Sequence, residues 1–154
     1  MSFTTVTPPR AGEVLAAIQA LLDVAAVQAL LGGSGRVVLR GADLPGLTRT
    51  AIGRLVVMRR NTATRSEHLD RVRYADFNIR LDFYLPKAGF NPDAYSEAVH
   101  AEVFTLLEGQ GPSMTYAGVA HPLRRIVPPS VPTEDDDAKT FYSRSVYRIA
   151  LKAA

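Results

Sequence analysis

His100-Ala101-Glu102 reproduces the His-x-Glu spacing by which zinc deaminases set a metal ligand beside a general acid–base carboxylate. That chemistry also needs two thiolate ligands from a Pro-Cys-x-x-Cys element. The chain has no cysteine, so the match goes no further. His100 is then expected at the surface or boundary of a helix, His68 in a polar loop, and His121 in a turn before Pro122. The run Glu134-Asp135-Asp136-Asp137 has the charge for a divalent cation. Oxygen-ligand loops, however, place their ligands at alternate positions around a glycine, and this run does neither. Asp76 and Asp82 share one face of a strand but lie about 20 Å apart by strand rise, too far to act as a carboxylate pair on one bond. Arg80 between them points to cross-strand ion pairs instead. Gly32-Gly33-Ser34-Gly35-Arg36 leaves a helix and enters a strand, whereas a phosphate loop enters a helix with Gly-Lys-Ser/Thr, so it reads as a helix stop. No Gly-x-Ser-x-Gly element is present. Nothing here points to catalysis, a metal or a cofactor; the pattern is that of an assembly protein.

Charge distribution narrows the partners. The chain carries a net charge of +3, but between Arg36 and Arg80 ten arginines face only Asp43, Glu67, Asp70 and Asp76. The compact acidic run at 134–137 follows much later. A basic and an acidic region on one small protein are suited to bind each other between copies, although solvated surface is the ordinary role of such a run. Arginine also suits phosphate contacts, with Tyr74 and Tyr84 available to stack on bases. These arginines are spread along strands and interleaved with acids, and the aromatic pattern of single-strand RNA-binding sheets is missing, so nucleic-acid binding is the secondary reading. At 154 residues with 47% hydrophobic and 21% charged, one domain spanning 1–154 with a real core is expected. Met1 to Thr7 lacks a secretory signal pattern. Val14 to Leu31, broken by Gln19, Asp23 and Gln28, reads as amphipathic rather than membrane-spanning, so a soluble protein is expected.

The elements that position these residues follow from periodicity. From Ala75 to Leu85 the odd positions are apolar and the even positions polar or amphipathic, which predicts one half-buried strand over 73–85. At about 3.3 Å per residue it runs roughly 40 Å, well beyond the usual five or six residues. A polar face of that length must meet water or a partner. Ala51 to Arg60 is a second strand, with Ile52, Val56 and Met58 on one face broken by Arg54. The polar Asn61 to His68 joins the two as an extended β-hairpin arm. Thr7-Pro8-Pro9 opens a helix that buries Val14, Leu15, Ile18, Leu21 and Leu22. Asp23 caps a possible second turn of helix through Leu30, stopped by Gly32-Gly33. Arg36 to Arg40 is a short strand, and 41–46 a loop. Asn91-Pro92-Asp93 starts a helix with Tyr95, Val99, Val103 and Leu106 inward and Glu97, Glu102 and Glu108 outward, stopped by Gly109. Met114 to Ala120 is a short strand, and proline-rich 124–132 an edge or loop. Phe141 to Leu151 is the last strand, Tyr147, Ile149 and Leu151 inward, Arg144 and Arg148 outward. The fold class is α+β: a mainly antiparallel sheet packed by two main helices, with the hairpin arm.

Ala-Leu-Leu-Gly-Gly leads into Arg-Val-Val-Leu-Arg, then Tyr-Ala-Asp-Phe-Asn-Ile-Arg-Leu-Asp-Phe-Tyr-Leu, the capped helix at 93–107, and an acidic, proline-bearing loop before the final strand. This order, over Val14 to Leu151, resembles the tail-terminator and head–tail joining (neck) proteins of long-tailed bacteriophages. The resemblance implies a non-enzymatic virion protein, assembled in the bacterial cytoplasm and without a cofactor. It implies a homohexameric ring that ends tail-tube polymerisation and joins the tube to the head connector, with DNA passing through unrecognised. Another neck or head-completion ring fits the same pattern. The interface candidates come from the residues themselves. A ring repeats one contact between two different faces of the subunit. Arg59, Arg60 and Arg65 are expected to face Glu134, Asp135, Asp136 and Asp137 of a neighbour or of the next ring, with Arg124 and Arg125 as second-choice contacts and Asp76, Arg80 and Asp82 as subunit or sheet ion pairs.

Overall fold

A computed structural model of the chain describes residues 2–3, 11–39, 53–59, 64–68, 71–86, 91–109, 115–116, 119–120, 122–135 and 140–152. In chain order the elements are β1 (Ser2–Phe3), α1 (Ala11–Leu22), α2 (Ala25–Leu31), β2 (Val37–Leu39), β3 (Arg54–Arg59), β4 (Thr64–His68), β5 (Arg71–Pro86), α3 (Pro92–Leu107), β6 (Thr115–Tyr116), β7 (Val119–Ala120), β8 (Arg124–Val127), β9 (Thr133–Asp135) and β10 (Thr140–Lys152). The expected α+β class holds. A seven-stranded sheet runs in the order β2-β3-β5-β10-β8, with β4 added beside β5 and β9 beside β10. All of its pairings are antiparallel except β2 with β3. A second, three-stranded sheet joins β1, β6 and β7.

The long alternating segment is the spine of the larger sheet. β5 pairs with β10 from Pro86 opposite Thr140 to Tyr74 opposite Lys152. Alternation sorts its side chains as the pleat requires. Ile79, Leu81, Phe83 and Leu85 are all within 1% of full burial, beside Leu55, Val57, Tyr147 and Ile149 from neighbouring strands. Val14, Ile18 and Leu22 of α1, Val27 and Leu31 of α2, and Val99, Val103 and Leu107 of α3 close this core from the helical side. Removing one such side chain, as in Leu81→Ala, costs about 2–5 kcal/mol through lost transfer energy and the cavity left behind.

The helices begin and end for local reasons. Asn91 Oδ1 accepts from the backbone N–H groups of Asp93 and Ala94, and Pro92 takes the first helical position, where a missing N–H costs nothing. Gly109 follows α3 at φ 71°, and Gly32 caps α2 at φ 90° with its N–H on Gln28 O, so both glycine stops are as expected. The N-terminal region is two helices, bent 80° apart. Asp23 does not cap the second: Val24 holds that position with no side-chain bond, and Asp23 Oδ1 accepts from Gln28 Nε2 instead. Among the described residues no single helix is long and apolar enough to cross a membrane.

Three local expectations change. Residues 64–68 are not a plain connection but strand β4, paired with β5 from Asp76 opposite Thr64 to Arg71 opposite His68. The hairpin that reaches past β3 is therefore β4–β5. Thr-Arg-Ser-Glu-His is polar on both faces, so alternation gave no strand signal there. His68 accordingly lies in a strand rather than a loop. Within Met114 to Ala120 there are two short antiparallel strands, β6 and β7, where one was expected. The Thr7 cap, the loop at 41–46 and His121 lie outside the described residues.

Candidate assembly interface

The even-numbered face of β5 is not simply wet. Asp82 is fully buried, directly opposite Arg144 of β10. Its Oδ1 lies 3.2 Å from Arg80 Nε and 3.5 Å from Arg144 Nε. The expected cross-strand ion pair is present, with Arg144, which sequence reasoning placed outward but did not connect to Asp82. Arg80 also donates to Met58 Sδ, and the Arg54 and Arg144 guanidiniums stand 5.0 and 4.9 Å over the rings of Tyr84 and Tyr142. Those two tyrosines face each other across the strands, with ring centroids 6.3 Å apart. Burial first, and then the Asp82 charge, push the Tyr84 hydroxyl above its ordinary range, although the three arginines pull the other way. Below it, Val38, Val56 and Met58 form a small second apolar cluster. Arg54, Arg80 and Arg144 are thus engaged within the sheet and do not form a free phosphate-binding stripe. Asp76 sits six residues upstream on β5, opposite Thr64 of β4 and Ala150 of β10.

The basic and acidic candidates occupy different corners of this sheet. Arg65 on β4 is in register with Ala75 of β5. Glu134 on β9 is in register with Phe141 of β10, which pairs with Leu85 of β5. The two positions are ten residues apart along β5 and three strand spacings apart across the sheet, about 36 Å by strand rise and spacing. Within one chain Arg65 and Glu134 cannot meet; a head-to-tail contact between copies joins two separate faces of this kind. Arg59 ends β3 opposite Ile79, and Asp135 ends β9 opposite Thr140. Arg60, Asp136 and Asp137 lie outside the described residues, as do the side chains of Arg59, Arg65, Asp76 and Asp135.

Arg124 and Arg125 are held by α3. Glu108, expected on the wet side, accepts from the Arg125 backbone N–H at 2.6 Å and pairs with Arg124 Nη1 at 3.6 Å. The Arg125 guanidinium lies 4.4 Å over the Phe104 ring. It also bonds the hydroxyl of buried Tyr147, which burial drives up to about 12.

His100 departs most from expectation. It is 2% exposed, not a surface residue. Nε2 lies 2.8 Å from Ser143 Oγ, Nδ1 lies 3.3 Å from Ser145 Oγ, and Ser96 Oγ donates to Ser143 Oγ at 2.7 Å. Each ring nitrogen thus has a serine hydroxyl as its partner, and the tautomer decides which of the two nitrogens donates. Burial, reinforced by the Arg125 charge, lowers its pKa to about 4, so it is neutral at ordinary pH. The Ser143–His100 distance suits a nucleophile and base. A 1%-exposed serine and a hydroxyl where the orienting carboxylate belongs make it a structural knot. Two signals that sequence reasoning passed over pointed to it: Ser143 and Ser145 fall on the inward face of β10, and His100 stands four residues after Ser96 on α3.

Above this knot a cleft of about 460 Å³ opens between α3 and the segment joining β8 to β9, bordered by Asp93, Glu97 and His100 on one side and Pro129, Val131 and Pro132 on the other. Two bonds pin its far wall to β10: Ser130 N–H donates to Arg144 O, and Ser130 Oγ accepts from Arg144 N–H. Val131 stands 79% exposed at the rim. Among the described residues no three His, Asp or Glu side chains gather to hold a metal.

No protein-family model matches the chain, and no curated protein does. Among solved structures it is similar to a chain of the virion of a native gene transfer agent particle, at 18% identity over 93% of this chain and 97% of that one, with a TM-score of 0.57. A second solved chain aligns at 18% identity over 92% and 96%, with a TM-score of 0.59. At that identity the likeness is one of fold, and it spans nearly the whole of each chain.

Proposed function

We propose that this protein is a non-enzymatic structural component of a phage-like virion. Six copies close into a ring at the head-proximal end of a tail tube, stop tube polymerisation and join the tube to the head connector, while DNA passes through the ring without sequence recognition. It is made in the bacterial cytoplasm and ends in the virion neck. The observation that carries this reading is the end-to-end fold likeness to a gene transfer agent virion chain. The placement of basic and acidic segments at opposite corners of the sheet agrees with it, because a closed ring needs two different faces on each subunit. The described polar clusters face one another inside the fold, His100 with Ser143 and Ser145 and Asp82 with Arg80 and Arg144, as suits a scaffold.

The test is reconstitution with the tube protein of the same particle. Added to polymerising tube subunits, the protein is expected to arrest growth and appear by negative-stain microscopy as a ring on one tube end. Tubes that grow to the same length with and without it refute the terminator role. Binding to the head connector without tube arrest would reassign the ring to another level of the neck.

A further inference from the structure

We infer that the cleft between α3 and segment 128–132 is a socket for the β4–β5 hairpin of a second copy of this chain. The inference rests on the ring reading above and specifies its contact. The cleft is chemically divided: Asp93 and Glu97, one helical turn apart, are exposed on one wall, and Val131, Pro129 and Pro132 form the other. Such a lining suits arginine, whose apolar stem lies on aliphatic surface while its guanidinium pairs with carboxylates. The cleft's own cation, Arg125, is engaged over Phe104 and on Tyr147, and the floor is neutral His100.

Charge complementarity selects the occupant. Residues 59–73 carry Arg59, Arg60, Arg65, Arg71 and Arg73 against Glu67 and Asp70. Glu134 extends the acid of the socket corner, since β9 pairs with β10 at Phe141, two residues from the Ser143 that Ser96 of α3 contacts. Asp135, Asp136 and Asp137 follow it in sequence. The hairpin runs past the end of β3, and Arg71 to Arg73 also run past the pairing with β10. At the opposite corner, it has no reach to its own chain's cleft. Plug and socket on opposite corners give a directional contact that each copy repeats once.

Two charge-reversed variants test this. D93K/E97K changes exposed socket residues and R65E/R71E changes the plug; circular dichroism and thermal melting verify folding of each. By sedimentation velocity each variant alone is expected to lose self-association on the order of tenfold or more. Mixed, they are expected to recover assembly in alternation, because the parental plug of one meets the parental socket of the other and the reversed plug meets the reversed socket. Since the chain lacks cysteine, a bifunctional thiol reagent bridging V131C of one copy to S66C of another reads the same contact without altering charge. Either charge variant assembling like the parent, a mixture that does not recover assembly, or no V131C–S66C link in assembled protein overturns the socket. Variants that still form rings on tubes would leave the ring reading standing while removing this contact. Capture of a peptide from another virion protein with self-association unchanged also overturns it.

Discussion

Buried His100 makes the stability of this protein fall as the pH drops below 6.5. The imidazole holds a pKa of about 4 in the fold, because burial and the Arg125 charge oppose its protonation, against 6.5 in an open chain. Between those values the unfolded chain binds a proton that the folded chain refuses. Stability is therefore full above pH 6.5 and drains as pH falls from 6.5 toward 4. At 1.36 kcal/mol per pH unit the whole effect is about 3 kcal/mol, and about 2 kcal/mol is already lost at pH 5. That is a large part of the stability of an ordinary domain. The comparison that isolates it is His100→Gln, which keeps an amide donor and acceptor near Ser143 and Ser145 but cannot titrate. It also gives up the edge-on contact with the Phe83 ring, whose centroid is 6.5 Å away. The variant is expected to be about 1–2 kcal/mol less stable at pH 7.5, from imperfect replacement of buried hydrogen bonds. Between pH 7.5 and 5 it should then lose about 2 kcal/mol less than the parent. Urea unfolding at the two pH values, followed by circular dichroism, measures both. Equal pH slopes in parent and variant would refute the argument, as would an NMR titration showing the His100 ring protonating near 6.5.

Other substitutions test other links. Asp82→Asn leaves Arg80 and Arg144 without their shared carboxylate; because both reach water, the expected loss is about 1–3 kcal/mol. The R80M/R144M pair strips two cations from a buried carboxylate and should cost more, about 3–5 kcal/mol, with an excess over the sum of the single changes in a double-mutant cycle. Gly53→Ala drives a Cβ to 2.6 Å from the Tyr84 carbonyl oxygen and 2.7 Å from the Phe83 ring, and should lower the melting midpoint by the equivalent of about 1–3 kcal/mol. An unchanged midpoint would mean that β3 can shift away from β5. Asn91→Ala removes the two bonds capping α3 and should cost about 1 kcal/mol in chemical denaturation.

Much of the scaffold was legible because single periodicities fixed it. Strict alternation gave β5 its inward face down to Leu85, and Asn-Pro-Asp placed the start of α3 where it stands. Features set by two segments at once were hidden. The partner of Asp82 is Arg144, sixty-two residues later, and only the β5–β10 register brings them together. Asp23 looked like a cap, but a competing bond to Gln28 and a one-residue shift of the helix start moved the cap to Val24. His100 was read from its motif and not from its face; the buried stripe of α3 includes Ser96 and His100 beside Val99 and Val103. The basic and acidic corners were legible only as charge. Their separation by about 36 Å follows from strand order and register, which no local pattern contains.

The β5–β10 pairing is locked from both sides, and this bears on assembly. On one face Asp82 stands opposite Arg144; on the other Ser143 and Ser145, opposite Phe83 and Leu81, carry the knot around His100. A one-residue slip would exchange the two faces, driving Asp82 among the core leucines. A two-residue slip keeps the faces but sets Arg144 opposite Arg80 or Tyr84 instead of Asp82, the former a like-charge pair, and it also moves the serines off the imidazole. Apolar alternation alone would tolerate that second slip, since leucine, isoleucine and phenylalanine are nearly interchangeable along β5. The polar pairs therefore supply the register, and the register fixes how far the β4 corner lies from the β9 corner. In the ring proposed above, the placement and orientation of these two corners set how successive subunits meet. A shift of two residues, about 7 Å along the strand, would displace the two corners relative to each other, so the costly buried charge and the buried histidine hold the sheet's geometry, on which the proposed ring contact depends.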